Sequence, residues 1–187
     1  SGRLKQIKSM VDAGDYFTIN RARQYGKTTV LRALEKYLKP DYLVVSIDFQ
    51  KLSYADFESE QSFSEAFSAE VLDAVEDGTQ LPGEVCAELE AYAAGKIRGI
   101  SLSKLFRCLN RWCRQSEKKI VLIVDEVDSA SNHQVFLDFL AQLRAYYIDR
   151  DRKKTFHSVI LAGVYDIKNL KRKFADNDVH KRNSPWN

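Results

Sequence analysis

Residues 16–34 read YFTINRARQYGKTTVLRAL, and this stretch decides the fold. An apolar run ends at Ile19, a polar loop follows, and Gly26-Lys27-Thr28 opens a segment whose Val30, Leu31, Leu34 and Leu38 recur at helical spacing. Strand, loop, Gly-Lys-Thr and helix is the order that gathers backbone N–H groups, a lysine and a hydroxyl around a triphosphate. Gly26 lets the backbone approach closely because it has no Cβ. Lys27 reaches the β- and γ-phosphates, and the Thr28 hydroxyl suits Mg²⁺. Gln24, Tyr25 and Thr29 complete the expected phosphate-contacting run. The pattern departs at Arg21, which stands where the loop has its first glycine. Arg21 and Arg23 either add cationic contacts to phosphate or face solvent. The triplet alone also fits a glycine-capped helix start with a solvated lysine.

The second informative stretch is IVLIVDEVDS, residues 120–129. Five consecutive apolar residues predict a strand covered on both faces, the habit of a parallel sheet. It ends in Asp125 and Glu126, at the carboxyl end where open α/β sheets bind ligands. Mg²⁺ is a hard cation that takes carboxylate and water oxygens beside phosphates, which suits Asp125. Glu126 is the candidate to orient or deprotonate an attacking water.

The remaining pattern alternates. Helices are expected over residues 3–13, 27–38, 62–77 and 84–94, from Ser101 or Ser103 through Cys113, and over 134–148. Strands are expected at 16–20, 43–49, 120–124 and 158–162. Such alternation predicts a parallel α/β sheet. A hydrophobic fraction of 44% with 29% charged residues fits a globular chain, and a net charge of +3 is too mild to name a nucleic-acid binder. No run approaches the roughly 18 apolar residues of a membrane span. Three cysteines with no metal spacing are expected to be reduced, in a cytoplasmic setting. The chain opens on Ser1-Gly2 with no initiator methionine and reads as a fragment of a longer protein.

With both motifs in hand, the chain resembles the P-loop NTPases, in the group that carries a glutamate beside the second motif's aspartate. Within that group YFTINRARQYGKTT, IVLIVDEVDS, VFLDFLAQLR and SVILAGVYDIKNLK resemble the bacterial AAA-like ATPase domains. The resemblance implies a three-layer α/β core with strand order 1-4-3-2 over residues 1–187, cut before a fifth strand and helical lid. It implies ATP and Mg²⁺ as ligands. Gln24, Tyr25, Gly26, Lys27, Thr28 and Thr29 would bind the nucleotide, Thr28 and Asp125 the metal, and Glu126 would be the catalytic carboxylate. The expected function is Mg²⁺-dependent ATP binding and hydrolysis coupled to conformational change; a non-catalytic nucleotide switch or interaction module is the alternative. A homo-oligomer, a downstream domain and nucleic acid stay open as partners; no membrane is expected. The resemblance also asks for a polar sensor near the end of the fourth strand, and Ala162-Gly163-Val164-Tyr165-Asp166 offers no clean fit.

Smaller candidates remain. Asp48, ending the second strand, either supports the site or merely ends the strand. Tyr16 and Phe17 read as core or as adenine neighbours, and Arg144 as a solvated residue or an arginine finger. Residues 56–90 carry eleven acids and no Lys or Arg, while 144–182 lean basic. Both read as solvated faces or as complementary interaction surfaces.

Overall fold

A computed structural model describes residues 2–20, 27–75 and 80–163, with residues 27–29 described by backbone only. Among the described residues four strands, β1 (Tyr16–Asn20), β2 (Leu43–Asp48), β3 (Ile120–Asp125) and β4 (Ser158–Gly163), form one all-parallel sheet in the order β1-β4-β3-β2. Seven helices accompany them among the described residues: α1 (Gly2–Asp12), α2 (Lys27–Leu38), α3 (Glu60–Ala74), α4 (Gly83–Ala93), α5 (Leu102–Gln115), α6 (Val127–Ala130) and α7 (Gln134–Ile148). The expected α/β class and strand order are both observed.

Chirality sorts the helices into layers. The β1-to-β2 connection crosses the sheet one way, and the two later connections return. Parallel crossovers share one hand, so outgoing and returning helices must land on opposite faces. Accordingly Val121, Ile123, Ile160 and Ala162 face α1 and α2. Leu122, Val124, Val159 and Leu161, their alternates, face α3, α4, α5 and α7. The unbroken apolar run in β3 is thus explained by two covered faces: every residue from Ile120 to Val124 is at most 2% exposed.

Element ends differ from expectation by small amounts with identifiable causes. β2 stops at Asp48 because its carboxylate accepts the Gln50 N–H at 2.9 Å, turning Phe49–Lys51 into a short 3-10 turn. α3 starts at Glu60 because Ser59 caps it. Ser101, rather than Ser103, caps α5 by accepting the Lys104 N–H at 3.1 Å. The four-residue α6 was not anticipated. Phe17 belongs to the core, and Tyr16 packs at 5.3 Å from Tyr147. Arg144 corrects the solvated reading. Its guanidinium lies 4.9 Å from the Tyr16 ring, and its Nε is buried with no hydrogen-bond partner among the described residues. Several acids of residues 56–90 hold structure: Glu60 accepts the Leu102 N–H, and Glu88 pairs with Arg111 at 2.9 Å. Cys108 and Cys113 are buried, and all three cysteines are free.

At the amino end of the sheet, Gly14 adopts φ +73° to turn the chain into β1. Beside it, the His157 ring stacks on Tyr42 at 5.4 Å, and its Nε2 lies 2.8 Å from Val11 O. A carbonyl only accepts, so Nε2 carries the hydrogen. Burial, then the Lys119 charge, hold the imidazole's proton affinity below its ordinary value. The folded protein therefore binds fewer protons than the unfolded chain once pH falls below about 6.5, and stability erodes from there downward. The urea midpoint is expected to fall between about pH 7 and pH 5.5. His157→Gln, which keeps an N–H for Val11 O, should flatten that slope.

Candidate functional site

Parallel pairing brings the candidate site together. β2 and β3 run in register, with Asp48 opposite Asp125. Side chains of paired residues in a parallel ladder point to the same face. Val124 and Ile47 pack into the core beneath α3–α7, so Asp48 and Asp125 project to the other face, toward α2. Both line a cleft of about 270 Å³ with Ser46, Leu31, Arg32 and Lys51. Position 28 precedes Arg32 by four residues, one helical turn nearer the start of α2.

Glu126 joins them through an unusual backbone. At φ 63°, ψ 38° it is the one non-glycine residue with positive φ among those described, and it caps α6. This left-handed conformation costs a glutamate on the order of 1 kcal/mol or more. Its N–H donates to Asp125 Oδ1 at 2.8 Å, which helps hold the turn. Carboxylate oxygens of Asp48, Asp125 and Glu126 lie within 4.8 Å of one another. Asp125 and Glu126 are 9% and 4% exposed. Across the cleft, burial pushes the Glu70 carboxyl up; Lys51 opposes the shift, while Asp73 and Asp48 add to it.

Sequence reading singled out Asp125 and Glu126 together, and they are neighbours here. Asp48, left open, belongs with them. Gln24, Tyr25 and Gly26 lie outside the described residues, and so do the side chains of Lys27, Thr28 and Thr29; the α2 backbone begins at Lys27, as expected. The end of β4 held a feature that sequence reasoning missed. Gly163 pairs with Asn20, the last residue of β1. A Cβ at Gly163 would sit 2.8 Å from Asp128 Oδ1, so the absence of a side chain makes room for that buried carboxylate. The spacing Asp125-Glu126-Val127-Asp128 carried the only available signal, and it gave no hint of what Asp128 touches.

Arg144 packs on the first residue of β1, at the amino end of the sheet. The acid group sits at the carboxyl end. The exposed Arg150, Arg152 and Lys153 precede β4 and so also lie at the amino end.

The arrangement is a set of hard oxygen donors at the carboxyl end of a parallel sheet, beside the start of a helix. β1 precedes α2 on one face of the sheet and β3 precedes α7 on the other, the change of side at which open α/β sheets bind ligands. The residues present fit a divalent cation by donor type: carboxylates are its preferred protein ligands.

Comparison with known proteins bears on the family and the fold. The family model described as "AAA-like domain" matches residues 3–170. No curated protein matches in sequence. Among solved structures, the chain is similar to Drosophila ORC bound to AT-rich DNA and Cdc6, at 11% identity and TM-score 0.53, covering 96% of this chain and 50% of that one. It is similar to the Aeropyrum pernix ORC1 protein in complex with DNA, at 13% identity and TM-score 0.51, covering 91% of this chain and 40% of that one. It is also similar to the Aeropyrum pernix ORC2 protein in ADPNP–ADP complexes, at 12% identity and TM-score 0.51. Identities this low speak for the fold alone, and the chain spans half or less of the first two proteins.

Proposed function

The chain belongs to the AAA-like domain family, and from that premise we propose that it binds ATP with Mg²⁺ at the carboxyl end of its sheet and hydrolyses it, coupling turnover to conformational change. The observation that carries the reading is the gathering of Asp48, Asp125 and Glu126 within 4.8 Å beside α2.

In this reading the backbone of Gln24, Tyr25, Gly26, Lys27 and Thr29 cradles the phosphates, and the Lys27 ammonium offsets their charge. Thr28 and Asp125 hold the cation. Bound Mg²⁺ supplies neutralisation of charge on the phosphate oxygens. Glu126 orients the attacking water and accepts its proton.

A second reading, a nucleotide-dependent switch without turnover, draws support from Gly163: β4 ends with no side chain to orient a water. Nucleic acid is a further partner proposal. It draws on the exposed Arg150, Arg152 and Lys153, and on the DNA complexes in which the similar Drosophila and Aeropyrum proteins were solved.

The test is titration of the protein with ATP and Mg²⁺ by calorimetry. The wild type is expected to bind, and Lys27→Ala should weaken binding by about 10- to 100-fold, the worth of one hydrogen bond to a charged group. An unchanged affinity in Lys27→Ala would remove the phosphate-loop assignment.

A further inference from the structure

We propose that Asp48 is a third carboxylate of the cation site, a positioning residue that holds metal-bound water and thereby couples Mg²⁺ to nucleotide binding. The inference rests on the nucleotide reading above and adds a residue from a strand that neither sequence motif contains. Two observations support it besides the proximity of the acids. First, strand register fixes its direction: Asp48 stands opposite Asp125, and both side chains leave the sheet on the α2 side. Second, the two share one open cleft with Arg32 of α2, which lies a helical turn beyond position 28.

The chemistry follows from the ion. Mg²⁺ demands a near-octahedral shell and gives up water reluctantly, so one or two carboxylates bind it directly and the others act through its waters. With Thr28 and Asp125 as the direct protein ligands, Asp48 on the neighbouring strand is placed to accept hydrogen bonds from retained waters. Its Oδ1 already accepts the Gln50 N–H at 2.9 Å, which fixes the carboxylate's orientation and leaves Oδ2 as a further acceptor. Without the cation, the same negative charge repels a triphosphate. The residue therefore opposes ATP in the absence of Mg²⁺ and favours it in its presence.

That change of sign is the test. ATP affinity is measured by calorimetry in EDTA and in saturating Mg²⁺, for the wild type and for Asp48→Asn. Asparagine keeps the Oδ1 acceptor for Gln50 and so preserves the turn while removing the charge. In EDTA, Asp48→Asn is expected to bind ATP as tightly as the wild type or a few-fold tighter. The gain on adding Mg²⁺ should shrink by about tenfold, and Mn²⁺ bound with ATP, followed by electron paramagnetic resonance, should show the same loss. An unchanged Mg²⁺ gain overturns the proposal. Equal weakening in EDTA and in Mg²⁺ also overturns it, because that is the mark of a merely structural residue. A wild type that binds no ATP under either condition removes the nucleotide reading itself and this inference with it.

Discussion

Glu126→Gln is expected to lower phosphate release from ATP by about 10²- to 10⁴-fold, the range for loss of a positioned general base, with ATP affinity kept within a few-fold. Glutamine has nearly the shape of glutamate and retains an acceptor oxygen, but it cannot take a proton from water. The choice of substitute matters because Glu126 sits at φ 63°. Glycine there would relieve backbone strain as well as remove the carboxylate, mixing two effects. The readout is steady-state phosphate release at saturating ATP, with binding measured in parallel. Equal rates in wild type and variant would end the hydrolysis reading. Binding without turnover in both would leave the switch.

Phe139→Ala is expected to destabilise the fold by about 3–5 kcal/mol, the range for truncating a fully buried phenylalanine. In a chain of this size that corresponds to a fall in Tm on the order of 10 °C. Phe139 is 0% exposed. Its ring lies 5.2 Å from Phe63, 5.0 Å from Phe67 and 5.2 Å from Phe106, so α7 is bound through it to α3 and α5. Close packing leaves little freedom to collapse around the vacated volume. Phe49, 6.3 Å away, directly follows Asp48, so the cavity also loosens the support beneath the candidate cation site. Thermal and urea unfolding of wild type and variant measure the loss. A change under about 1 kcal/mol would mean that the helices hold together without this ring.

Much of the molecule is legible in the chain because its signals are local. The unbroken IVLIV run announces a strand buried on both faces, and the helical spacing of Phe136, Leu140, Leu143 and Tyr147 marks the buried stripe of α7. Asp125 and Glu126 are adjacent in sequence, so their pairing needed no tertiary information. Arg144 shows the limit. Exposure of a long cationic side chain is the default expectation, and only the packing of α7 on β1 lays its guanidinium against Tyr16.

The sequence by itself determined the parallel α/β class, the strand that leads into α2, and the acids that end β3. Periodicity and motif spacing act over a few residues and survive in one dimension. Tertiary structure alone decided that Asp48 stands opposite Asp125, that Glu126 turns through a left-handed conformation, and that Asp128 lies against Gly163. Register between strands distant in sequence is set by packing on both faces of the sheet, and no local pattern in either strand encodes its partner.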